Sequence, residues 1–200
     1  MHPTTHEFWN IWSTLLPLTI LTYLMFLHLS LHPTPLSTGV HVACVTCQLC
    51  SFIYHTFNSI SPRVSRALYN LDLAGICCMS LGAPWLYASG YGEDGLEIYT
   101  VILFSLMTLC LLLLAKATIL DQEPSQHWIL VLSAVGNYPS LAHPTATAAA
   151  LVILTGYIFF YRLRLPDRFL PSATGKLWSS HVLWHCAVFA GQLGFVYTTQ

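Results

Sequence analysis

Long apolar runs separated by short polar turns set the pattern of this chain. Seven stretches approach or reach the roughly 20 apolar residues that carry a helix across a bilayer: residues 10–31, 39–57, 68–88, 97–116, 127–142, 145–162 and 177–197. The fifth is short and has Pro139 near its end. Each is predicted to be a helix, because an isolated segment in lipid must satisfy its own backbone hydrogen bonds. The breaks between them carry turn chemistry: HPTPLSTG, NSISPR, SGYGEDG, DQEPSQ, AHPT and LPDRFLPSATG. No internal repeat, low-complexity tract or soluble domain interrupts the pattern. Residues 1–200 therefore read as one all-α domain, an integral membrane bundle of seven transmembrane helices.

Composition agrees with the pattern. The chain is 55% hydrophobic and only 8% charged, with a mean hydropathy of +0.61, whereas soluble domains carry about 25% charged residues. A soluble fold of this size could not cover its surface with so few charges, and at a net charge of −1 nothing points to a nucleic-acid partner. The start, MHPTTHEFWNIW, has no basic segment ahead of its apolar run, so no removable signal peptide is expected. The seven cysteines fall almost wholly within apolar runs and read as free thiols.

Charge also predicts orientation. Arg63 and Arg66 follow the second span, Lys116 ends the fourth, and Arg162, Arg164, Arg168 and Lys176 lie between the sixth and seventh. The alternate breaks hold Glu93 and Asp94 and no base. Basic loops stay in the cytoplasm, which puts the N-terminus inside and the C-terminus outside.

That orientation brings several polar groups to one depth. His55 lies within a turn of the inner end of the second span, Asp72 about one turn above the start of the third, and His181 and His185 in the first turns of the seventh. Ionisable residues at membrane depth are costly and mark functional sites by default. Histidines four apart share a helix face and can grip one ion. A third imidazole from a facing helix completes a three-histidine zinc site with an open fourth position, where zinc makes water acidic enough to act as a nucleophile near neutral pH. Asp72 is placed to orient that water or serve as its base, and Ser51, one turn before His55 on the same face, to join the pocket.

Two blander readings stand beside this one. The histidine pair could be structural, bonded to neighbouring helices. A bis-histidine haem would need ligands on opposite sides of a ring, which an i, i+4 pair does not offer, and gives Asp72 no task. Cys44, Cys47 and Cys50 recur every third residue and read as packing. His28, His32, His41, His127 and His143 are placed at helix ends or loops as interfacial polarity, and Trp9, Trp12, Trp85, Trp128 and Trp178 as interfacial belts.

Four stretches resemble the progestin and adipoQ receptor family, with the hemolysin III-like proteins and, more distantly, the alkaline ceramidases. HEFWNIWSTLLP resembles the family's approach to its first helix, keeping Glu7, Asn10, Ile11 and Trp12. SFIYHTFNSISPRVSRALYNLDLAGI resembles the Ser-x-x-x-His block with its following Asp, RLPDRFLP the Arg-x-Pro-Glu-Arg-x-x-Pro loop, and SSHVLWHCAV the Ser-His-Gln-x-x-His segment.

The resemblance implies a seven-helix fold with the N-terminus inside, zinc held by His55, His181 and His185, and Asp72 and Ser51 beside the metal water. It implies a lipid-accessible cavity, slow ceramide hydrolysis for some members, and ligands from adiponectin-type proteins to progestins. HTFNSISPR leans toward the progestin-type branch and AGICCMSLGAPWLY toward the adiponectin branch.

Departures from the pattern are Leu73 for Tyr, Asp167 for Glu, Val182 for Gln, and the altered segment after Pro171. The N-terminal region is expected to be nearly absent. The expectation is a zinc-binding, receptor-like membrane protein with ceramide-type amide hydrolase activity. The alternatives are a non-catalytic steroid or adiponectin-type receptor with a structural zinc, and a membrane scaffold. The expected partners are the bilayer, a lipid or steroid ligand such as ceramide, and an extracellular protein ligand. A homo-oligomer is among the states allowed. The plasma membrane is the expected location, with Golgi and endoplasmic reticulum as alternatives.

Overall fold

The computed structural model describes residues 4–31, 33–90, 96–121, 144–170 and 177–198. Among them the structure is helical, with no strand. Helix α1 spans Thr4–Leu31, α2 Pro35–Phe57, α3 Pro62–Gly90, α4 Leu96–Ile119, α5 Pro144–Gly156 and α6 Ser180–Thr198. A π-helical turn, Tyr157–Arg162, continues α5. The fifth sequence span, residues 127–142, lies outside the described residues.

Several helices begin earlier than their apolar runs. At the start of α2 the Thr34 side chain accepts from the Ser37 N–H while Ser37 answers the Thr34 backbone, and Pro35 opens the helix. The helix therefore starts four residues ahead of residue 39 and carries His41 within it. Ser61 caps α3 by accepting from Val64 N–H at 3.2 Å, so a polar turn with Arg63 and Arg66 precedes the apolar part. Helix α1 extends back to Thr4, which brings Glu7 into its first turn. In contrast, α6 begins only at Ser180, after a turn at residues 177–178.

Neighbours pack in a meander: α1 on α2, α2 on α3, α3 on α4, and α5 on α6, with α6 also against α1 and α2. Leu21, Val40, Cys44, Cys47, Met79, Trp184 and Val188 form one buried core, and Leu73, Cys77, Cys110 and Leu114 a second between α3 and α4. All seven cysteines are free. Glycines let α5 and α6 approach closely: a Cβ on Gly156 would run into Ala187, and one on Gly194 would stand 2.8 Å from the Ala149 Cβ.

Side-chain bonds fix which helix ends lie together. Glu7 at the start of α1 meets His55 at the end of α2. Arg66 near the start of α3 forms a two-pronged pair with Asp121 just after α4, at 2.9 and 2.7 Å. Asp167, beyond α5, bonds to Ser180 at the start of α6. Hydrogen bonding and the charge of Arg66 hold the Asp121 carboxyl below the usual aspartate range. Arg63, Arg66, Lys116, Arg162, Arg164 and Arg168 therefore all sit at one end of the bundle.

Among the described residues three helices, Glu7–Leu31, Pro35–Phe57 and Pro144–Arg162, are long and apolar enough to cross a membrane, and Phe104–Ile119 is a shorter apolar helix. Their outward faces are hydrophobic, with Tyr23, Phe26, Val101, Phe104 and Leu112 all exposed, a surface suited to acyl chains.

Candidate metal centre

The end of the bundle that carries the bases also carries the imidazoles. His55 comes from the last turn of α2, and His181 and His185 from consecutive turns of α6. Their ring centroids stand 4.6 to 5.1 Å apart. One ligand nitrogen from each lies within 4.8 Å of the other two. His181 Nε2 and His55 Nε2 are 3.2 Å apart. Two nitrogens bound at ~2.0–2.1 Å to a tetrahedral ion stand about 3.3 Å apart, so this pair is already at ligand spacing. Because the three rings close on one point, no macrocycle fits between His55 and the α6 pair.

Outer partners orient two of the rings. His55 Nδ1 lies 2.8 Å from a Glu7 carboxylate oxygen, which only accepts, so Nδ1 carries the hydrogen and Nε2 keeps its lone pair. His185 Nδ1 lies 2.7 Å from Ser13 Oγ. The Ser13 hydroxyl donates to the Asn10 carbonyl at 3.0 Å, leaving its oxygen to accept from His185. Nε2 of His185 is then the free nitrogen. Helix α1 places Glu7, Asn10 and Ser13 at three-residue steps on one face, and Asn10 also donates to Glu7 at 3.4 Å. Three imidazoles whose ligand nitrogens converge, two of them fixed from behind, are the donor set that zinc takes. The residues present fit the metal.

His181 and His185 line a cavity of about 530 Å³, within the size range of small-ligand sites. Ser51 and Asp72 line it too. Its walls include Leu73, Ile76, Phe160, Tyr161, Trp184 and Val188. The wide π turn after α5 turns Tyr157, Phe160 and Tyr161 all toward this space. Arg162 and Arg164 stand at its edge, and both are exposed. The structure thus brings together all five residues singled out from sequence: Ser51, His55, Asp72, His181 and His185.

Sequence reasoning missed Ser13 altogether and reached Glu7 only through resemblance. The signal was present as a polar stripe at three-residue spacing through Glu7, Asn10 and Ser13. His28 and His41 lie near helix ends as expected, but they are buried and not interfacial. Both stand at the far end of α1 and α2, stacked at 4.6 Å, with His28 Nε2 on Ser37 Oγ at 2.8 Å and His41 Nδ1 donating to the Ser37 carbonyl. His32, His127 and His143 lie outside the described residues.

A family model described as haemolysin-III related matches residues 3–196. Progestin and adipoQ receptor family member 3 from Homo sapiens is 24% identical over 166 residues, covering 70% of this chain and 52% of that protein. The Mus musculus protein of the same name gives the same figures, 24% over 166 residues. The chain spans about half the length of these curated relatives.

Proposed function

The chain is an integral membrane protein that belongs to the haemolysin-III related family, and on that premise we propose a zinc-dependent, receptor-like protein that hydrolyses the amide of a ceramide-type lipid. The observation that carries this reading is a cluster of three imidazoles, two of which, His181 and His185, share the wall of one cavity with Asp72 and Ser51. His55, His181 and His185 would hold the ion. A zinc ion bound there supplies Lewis acidity toward a carbonyl oxygen and toward water.

The rest of the chemistry belongs to the chain. Asp72 takes a proton from the attacking water as the new C–O bond forms. It returns that proton to the amide nitrogen as the C–N bond breaks, releasing a fatty acid and a sphingoid base. Ser51, which lines the same cavity, would orient that carboxylate through its hydroxyl. The apolar walls take the acyl chain. The proposal includes seven spans with the basic end in the cytoplasm and a plasma-membrane location.

A second reading has its own support. Glu7, Ser13 and the three histidines tie α1, α2 and α6 to one point, as a structural metal would. A non-catalytic receptor for a steroid or an adiponectin-type protein would use that tie to sense helix packing.

Metal analysis and turnover separate the two. Purified protein is expected to carry stoichiometric zinc that His181→Ala loses. Asp72→Ala is expected to keep the zinc and lose hydrolysis of labelled ceramide. Zinc without wild-type hydrolysis moves the reading to the structural receptor, and no zinc in the wild type overturns both.

A further inference from the structure

One turn of α2 beyond Ser51, away from the histidines, lies a polar network that the metal centre does not use. Gln48 is 3% exposed and Gln192 fully buried. Gln48 Nε2 donates to Gln192 Oε1 at 2.7 Å, and Gln192 Nε2 donates to Met79 Sδ at 3.0 Å. The direction of this relay is fixed by chemistry. A thioether sulfur only accepts, so Gln192 must turn its NH₂ to Met79 and its oxygen to Gln48, and Gln48 must answer with N–H. Flipping Gln192 would set oxygen against sulfur, and flipping Gln48 would set oxygen against oxygen.

Gln48 also lines the cavity. Its Oε1 has no partner among the described residues, yet it is absent from the sealed, unsatisfied polar atoms. Burying an acceptor with nothing to accept costs about 1–3 kcal/mol. The oxygen is therefore open to a partner reaching it from the cavity. Ser51 lies three residues along the same face, about 4.5 Å by helical rise.

We infer that Gln48 recognises the ligand by accepting a hydrogen bond from a hydroxyl, with Gln192 and Met79 locking the amide in that orientation. The inference rests on the lipid-hydrolase reading of the same cavity and names what it selects. A ligand that offers only carbonyl acceptors leaves Gln48 unpaired, and one with a hydroxyl near its scissile amide satisfies it. The selection is for hydroxylated lipids over carbonyl-only ligands.

Equilibrium binding tests this with two probes: a radiolabelled N-acylsphingosine with both hydroxyls free, and its di-O-methyl analogue, each against the full chain in lipid nanodiscs. Wild type is expected to prefer the free-hydroxyl probe by roughly tenfold, the ratio for a hydrogen bond with a buried acceptor. Gln48→Met is expected to erase that preference by weakening only the free-hydroxyl probe.

Because Gln48→Met strands the Gln192 oxygen, Gln48→Met with Gln192→Met is run beside it. Replacing both partners by apolar groups of similar shape is close to neutral for folding. A preference that survives in the double variant overturns the inference, as does equal binding of both probes by wild type. A wild type that carries zinc but binds neither probe also overturns it, with the metal reading intact. Preserved discrimination without hydrolysis sinks the hydrolase and leaves Gln48 in place.

Discussion

His55 gives its Nδ1 hydrogen to the Glu7 carboxylate across 2.8 Å, and this bond joins the first turn of α1 to the last turn of α2. It fixes the tautomer of that ring. The Nε2 lone pair is left to face His181. The helix that supplies no metal ligand thus decides how the ligands point.

Removing that bond should weaken metal binding without abolishing it. Partners of this kind typically contribute 10- to 100-fold in affinity. Glu7→Ala is expected to lower zinc affinity within about that range, and Glu7→Gln by less, because the amide oxygen still accepts. Chelator competition on purified protein measures both. An unchanged affinity in Glu7→Ala would mean that the ring is oriented by packing alone.

The close seam between α5 and α6 makes a separate claim. A Cβ on Gly191 would collide with the Ile153 side chain and stand 2.9 Å from the Ala149 carbonyl oxygen. The carbonyl cannot give way without loosening α5. Gly191→Val is expected to lower stability by about 1–3 kcal/mol, the cost of overpacking a filled interface. Ile153→Ala in the same chain should recover part of that loss, because the two changes share one space. Thermal unfolding in detergent reads both, and strict additivity would place the strain elsewhere.

The two halves of the centre differed in how far the sequence disclosed them. His181 with His185, and Ser51 with His55, sit four apart on single helices, so local periodicity put each pair on one face. Their meeting across α2, α3 and α6 followed from depth, because those helix ends share one side of the bundle. Glu7 and Ser13 were hidden for another reason. An apolar window starts the first helix at residue 10, whereas hydrogen bonding carries it back to Thr4. Gln48 and Gln192 stand 144 residues apart in the chain. Each alone is one amide in an apolar helix, and only packing makes them a relay.

The Arg66–Asp121 pair should show itself through pH. Its two-pronged bond to Arg66 depresses the Asp121 pKa in the folded chain. A depressed folded pKa contributes stability above the ordinary aspartate range and loses it as pH falls through the folded value. Asp121→Asn is therefore expected to melt slightly below wild type at neutral pH and to match it in acid. The pair is exposed, so the neutral-pH gap should be small and should shrink in high salt. Melting curves across pH and ionic strength check this, and a gap that widened in acid would contradict it.

Asp167 links the loop after α5 to the metal centre. One of its carboxylate oxygens accepts from Ser180 N–H at 3.1 Å and from Ser180 Oγ at 2.6 Å. Those bonds satisfy an orphan donor in the first turn of α6 and set negative charge at its positive end. His181 is the very next residue, so fraying there moves a candidate ligand. Losing a cap of this kind costs about 0.5–2 kcal/mol of helix stability. Asp167→Ala is expected to speed amide hydrogen exchange through residues 180–183 and to lower zinc affinity together with it. Asp167→Asn keeps an acceptor but not the charge, and should fall between the two. If exchange quickens while zinc affinity holds, the His181 ring is anchored by its neighbours in the cavity and not by the cap. If both move in step, the loop between α5 and α6 sets the geometry of the centre from outside it.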